Sequence, residues 1–206
     1  MSGLRFTALA AVMGLMSLVG SFTAVAVFAG TGTKVSAAGE SNVVQATEFQ
    51  LLDGKGKTRG VWGVTEEGMG LLSLLDKKGN PRLSIASDDK SGSVITFNDR
   101  DGKSRMMQAV TPEGIAIITY YHPDGTTPAF QVSTSGEGES SLIMYDKTKK
   151  NSLMASVLAD GRSVIALEHD NVVRFRTMLA ANGEPELGFL NKVDGKLTYT
   201  WWAGQK

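Results

Sequence analysis

Seven side chains able to carry chemistry recur at nearly fixed spacing: Asp53, Asp76, Asp99, His122, Asp146, His169 and Lys192 stand about 23 residues apart. Carboxylates and imidazoles bind metals and move protons. The run Asn98, Asp99, Arg100, Asp101, Gly102 gathers acidic oxygens as a calcium loop does. It lacks the alternating acidic order and the distal Glu of such a loop, and an Asp-Gly turn accounts for it more simply. His122 and His169 share one slot with Asp99 and Asp146, so a surface metal site can be drawn on that rim. Their two units are not neighbours in a simple meander, and no metal ligand is assigned. No nucleophile elbow, phosphate-cradling glycine loop or His-Glu-x-x-His pattern occurs. With two histidines, both at expected turns, acid–base work would fall to carboxylates, and none stands apart from the turn-forming Asp. The expectation is a protein that is not an enzyme, with no catalytic, cofactor-binding or metal residue and no cofactor.

The elements that position these residues follow from the same period, which marks an internal repeat. Four residues before each slot stand Phe49, Leu72, Ile95, Ile118, Leu142, Ile165 and Gly188; two before stand Leu51, Leu74, Phe97, Tyr120, Met144, Leu167 and Leu190. Residues two apart on a strand share a face, so this is an apolar stripe with polar residues such as Gln50, Ser73, Thr96 and Thr119 between. The first three units continue Asp-x-x-Gly-x-x-Arg, at Asp53, Gly56, Arg59, then Asp76, Gly79, Arg82, then Asp99, Gly102, Arg105. Asp caps a tight turn and Gly supplies positive φ, so each unit reads as strand, turn, returning strand. Second turns fall near Gly68, Gly92, Gly114, Gly136, Gly161 and Gly183.

The fold expected is therefore all-β: an antiparallel meander of about seven 23-residue hairpins, fourteen strands, rolled into a barrel or sandwich so that the apolar face is covered. A propeller fits less well, because its repeats are near 40 residues and four-stranded. Trp62 and Trp201 occupy one slot in the first and last units, where they either fill core positions or meet across a closed sheet.

Ahead of the repeats, Phe6 to Gly30 carries no charge and is long enough as a helix to cross a bilayer. A cleaved signal peptide is the competing reading, since Val35, Ser36 and Ala37 form a small-x-small pattern before Ala38; its apolar core would be far shorter. The domains expected are a transmembrane anchor over 1–30, a flexible linker over 31–42 and a β-repeat body over 43–206. Arg5 favours a cytoplasmic N-terminus at the inner membrane, with the body periplasmic or extracellular. Thr7, Ala10, Gly14, Ser17, Ser21 and Ala24 line one helix face with small side chains, as a helix-packing surface would.

Lys plus Arg equals Asp plus Glu at 21 each, without a basic run, which argues against nucleic acid as a partner. Cysteine is absent, so neither disulfides nor thiolate metal sites are available. The stretches LLDGKGKTR, LLDKKGNPR and FNDRDGKSR resemble tandem Leu-x-Asp-x-x-Gly-Lys-x-Arg hairpin repeats of poorly characterised bacterial envelope proteins, well over residues 45–105 and loosely thereafter. His122 replaces the fourth Asp and Lys149 the fifth Gly. The resemblance implies an all-β fold and a bacterial origin, not a reaction.

The function these features point to is a single-pass membrane accessory subunit that holds a larger membrane complex together, respiratory or photosynthetic, with membrane protein subunits and the lipid bilayer as partners. The alternative is an envelope module binding a saccharide, lipid or protein. Its signature would be exposed aromatics gathered in one groove, drawn from Trp62, Tyr120, Tyr121, Tyr145, Tyr199, Trp201 and Trp202.

Overall fold

Each repeat turns on one side chain. The Asp53 carboxylate accepts the amide protons of Lys55 and Lys57 at 2.9 and 3.0 Å, while its own backbone closes the loop to Lys57 and Gly56. Gly56 sits at φ 75°, where a side chain would be strained. Asp76 and Asp99 repeat this arrangement with Gly79 and Gly102. Where the glycine is missing, Lys149 takes φ 57° itself. Second turns close on Gly68, Gly92, Gly114, Gly161 and Gly183 as expected, but in the fourth unit Gly138, not Gly136, has positive φ.

The computed structural model describes residues 46–193 and 196–199, with side chains described to residue 189. Fourteen strands run in order: β1 Glu48–Leu52, β2 Thr58–Val64, β3 Gly70–Leu75, β4 Pro81–Asp88, β5 Gly92–Asn98, β6 Ser104–Val110 and β7 Ala116–Tyr121. Then come β8 Pro128–Thr134, β9 Ser140–Tyr145, β10 Asn151–Val157, β11 Ser163–His169, β12 Val172–Leu179, β13 Pro185–Val193 and β14 Lys196–Tyr199. Each pairs antiparallel with its sequence neighbours, β14 joining through β13 alone. Among the described residues every contact between strands is between such neighbours.

Among the described residues the result is one open sheet: β1 and the last strands do not meet, so the expected closure into a barrel or sandwich is not seen, and no second layer of described strands lies on either face. The proposed contact between Trp62 and Trp201 lies partly outside the described residues. So do the apolar segment 6–30, the linker, and the small-residue face of Thr7, Ala10, Gly14, Ser17, Ser21 and Ala24. No described helix is long and apolar enough to cross a membrane.

The two faces differ from the expectation in a way that matters. One face carries the apolar stripe, and it is the exposed one: of the large hydrophobics left open, all but Leu52 fall on it. Trp62, expected in a core, is 63% exposed there. The buried side chains belong to the residues between, in the cross-strand row that runs from Ser73 through the half-buried Ser84 and Thr96 to Met107, Thr119, Gln131, Ile143, Met154 and Ala166. Thr119 is 3% and Ala166 1% exposed. Ile143, Met154, Val164, Ala166 and Met178 form a continuous core there, flanked by Tyr145, Leu158 and Val173. In a lone sheet burial comes from neighbours in the same layer, and short side chains flanked by long ones sink below them. In the seventh unit the pairing of Phe175 with Phe189 puts Leu187 and Phe189 on the stripe. Gly188, paired with Arg176, falls on the core face.

Candidate functional site

The chemistry-bearing residues of the repeat are spent on turns and on joining one hairpin to the next. Arg59 donates to the Asp53 carboxylate at 2.8 Å and reaches the Asp76 carbonyl of the following unit at 2.7 Å. It can do so because β2 carries an extra residue against β1 at this point, a bulge that re-aims the side chain. Arg105 makes the same reach to the His122 carbonyl at 3.1 Å. His122 continues the series, its Nε2 lying 3.0 Å from the Tyr145 carbonyl. Its missing carboxylate is replaced two residues on, where Asp124 accepts from the amides of Thr126 and Thr127.

The electrostatics follow from these bonds. Amide donors from Lys57 and Lys55 hold the Asp53 carboxyl below its ordinary range, and the hydroxyl and amide of Thr127 do the same for Asp124. Burial pushes the Asp146 carboxyl up, but donors from Asn151, Thr148 and Lys150 outweigh it and hold it at about 2. His169 faces Asn151 at 2.8 Å and Asp170 at 3.2 Å, on a different hairpin from His122. Among the described residues no three metal-binding side chains converge.

The aromatics named as interaction candidates separate. Trp62 and Tyr120 stand on the stripe face, each beside a neighbouring-strand ring, Phe49 at 5.9 Å and Phe130 at 5.8 Å. Tyr121 and Tyr145 stand on the core face, where burial raises the Tyr121 hydroxyl and burial with Glu168 pushes Tyr145 up to about 12. Trp201 and Trp202 lie outside the described residues, and the side chain of Tyr199 likewise.

The arrangement that can act on another molecule is the stripe face. Its three cross-strand rows contain no Asp, Glu, Lys or Arg between β1 and β13. The open hydrophobics on it leave roughly 90 Å² each, on the order of 1,400 Å² in total, against the 300–600 Å² of the largest patch on a typical monomer. A groove of about 570 Å³ runs along it over β8–β13, lined by Val132, Leu142, Ile165, Leu179 and Pro185 among others. A smaller cavity of about 140 Å³ lies on the core face over β3–β7, beside Ser84, Thr96 and Met107.

Charge is also segregated, which net neutrality concealed. The rim of the Asp turns, residues 53–59, 76–82, 99–105, 122–127, 146–150 and 168–174, holds thirteen Lys and Arg against eight Asp and Glu. The opposite rim, residues 65–69, 88–92, 111–115, 135–139, 158–162 and 180–186 with Glu48, holds two against eleven. A basic edge and an acidic edge thus bound an uncharged apolar face, about 23 Å apart for seven-residue strands.

Among the described residues, fold and site together define an open, all-β hairpin-repeat sheet with one charge-free apolar face. No protein-family model matches the chain, and no curated protein matches it either.

Proposed function

We propose that this chain is a non-catalytic scaffold subunit of a membrane protein complex, tethered by its N-terminal apolar segment and holding its partners through the stripe face. The observation that carries this reading is the charge-free apolar face, larger than a lone soluble protein leaves open. The layer that would complete a sandwich comes from a partner. The engagement of the repeat's carboxylates, arginines and histidines in turn and inter-hairpin bonds supports a structural role over a catalytic one. In this reading the N-terminus is cytoplasmic, the β body lies on the outer side of the inner membrane, and respiratory and photosynthetic assemblies are the complexes to search first.

The test is mild-detergent purification of the tagged full-length chain from its native membrane, with mass spectrometry of what accompanies it. Stoichiometric membrane subunits that are lost on Gly14→Leu with Ser17→Leu support the scaffold. A chain that arrives alone, or trimmed before Ala38, refutes it and favours the alternative, an envelope module that takes an apolar ligand in the β8–β13 groove.

A further inference from the structure

We infer that the stripe face is covered first by a second copy of this chain, stacked face to face about a two-fold axis running across the strands, along the length of the sheet. This rests on the scaffold reading and narrows it: the stripe face holds the second copy, and the membrane subunits are held through the N-terminal segments of the pair. Two features of the face select this operation, and a third, its extent, selects the occupant.

Charge is the first. Rotation about such an axis keeps the strand order and reverses strand direction, so each strand lies over its own counterpart. The basic rim of one copy then faces the acidic rim of the other at both edges. A two-fold axis along the strands would instead set basic on basic and acidic on acidic.

Side-chain size is the second. The stripe row nearer the basic rim is bulky, with Phe97, Tyr120, Phe130, Met144 and Phe175 among its members. The row nearer the acidic rim is smaller on the whole, with Gly70, Ser87, Ser93, Ala116 and Ser163 standing among Val64, Val110, Val157 and Leu179. The proposed operation sets bulky on small across both edges, with the middle row on itself. The groove over β8–β13 follows the small row, and the partner's Met144, Leu153, Leu167 and Phe175 arrive above it.

Extent is the third. A partner must be thirteen strands long to cover this face, about 60 Å at 4.7–4.9 Å per strand, and a second copy has that length. Covering even half of the stripe on each copy buries about 1,400 Å² in all, within the range of stable interfaces. The two layers would pack as an aligned sandwich about 10 Å apart.

The full-length chain in mild detergent tests this directly. Native mass spectrometry is expected to give twice 21.9 kDa, and Ile118→Lys in the middle row is expected to give the single-chain mass. Because the chain has no cysteine, Ile85→Cys and Ile165→Cys each supply one thiol, checked by circular dichroism for native sheet. Each is expected to cross-link to itself through a short bis-maleimide. Linkage formed only in a mixture of the two variants would show the other two-fold axis and overturn the arrangement. A single-chain mass for the wild type, with no linkage in either variant, would overturn the second copy altogether. If membrane subunits still accompany that single chain, the scaffold reading survives this failure; a dimer without membrane subunits does the reverse.

Discussion

Replacing Met154 or Ile165 by alanine separates the two faces on adjacent strands. Both side chains are large and apolar, but Met154 is 7% exposed within the core on one side while Ile165 is 48% exposed on the stripe. Truncating a buried Met to Ala removes its transfer energy and leaves a cavity against Ile143, Ala166 and Met178, a loss of about 2–5 kcal/mol. Truncating the half-open Ile165 removes roughly half of a side chain's burial and leaves no enclosed cavity, about 1 kcal/mol. Urea titration followed by far-UV circular dichroism reads both, the midpoint shift being converted through the slope. The experiment is run at protein concentrations low enough for single copies and again where copies pair. At low concentration Met154→Ala is expected to be the more damaging by at least twofold. As concentration rises, the Ile165→Ala deficit is expected to grow while that of Met154→Ala stays fixed, since association stabilises by mass action. Equal deficits at low concentration would refute the assignment of core and surface, and with it the case for a free interaction face.

Glycine substitutions grade the turns: Gly56→Ala has open space around it and is expected to lose about 1–2 kcal/mol for its left-handed backbone alone. Gly92→Ala would set a Cβ 2.1 Å from the Val110 carbonyl oxygen, so the same urea titration should show at least twice that loss. Arg105→Ala removes the bond to the His122 carbonyl and is expected to lower stability by about 1 kcal/mol, with faster amide exchange localised to the β6–β8 turns. In alkali, an unfolded tyrosine ionises near 10 while Tyr145 holds its proton to about 12. The unfolded chain therefore binds fewer protons between those values, stability falls as pH climbs through them, and Tyr145→Phe should flatten that part of the profile. In acid the sign reverses. Asp146, held at about 2 against about 3.9 unfolded, adds stability above that unfolded value that is lost as pH falls from 4 to 2, and Asp146→Asn should remove this segment of the curve.

Much of the architecture was legible from one spacing. The 23-residue period, the Asp-x-x-Gly turns and the fourteen strands all stand in the structure, because a capping carboxylate and a left-handed glycine act locally and leave their mark in adjacent residues. Which face is buried was not legible. Alternation identifies two faces, but Thr119 and Ser73 are buried by the layer itself, an effect of neighbouring strands that no pattern along one strand records. The charge segregation was hidden for a related reason: balance over the chain says nothing until strand ends assign Lys55, Lys77 and Lys147 to one rim and Glu66, Glu113 and Glu137 to the other. Residue type does not place the aromatics either, since the adjacent Tyr120 and Tyr121 point to opposite sides of one strand.

Because each described strand pairs only with its neighbours in the chain, the described sheet contains no partnership that must wait for distant sequence. Its contact order is low for an all-β protein, and folding can advance hairpin by hairpin in the order of synthesis. Each newly emerged unit finds its template edge already in place. The same property makes length a free variable: adding or deleting one 23-residue unit would lengthen or shorten the sheet by two strands and disturb a single junction. A protein built this way is a ruler, and its reach along a partner can be altered in increments of about 10 Å, two strand spacings, without redesigning a core.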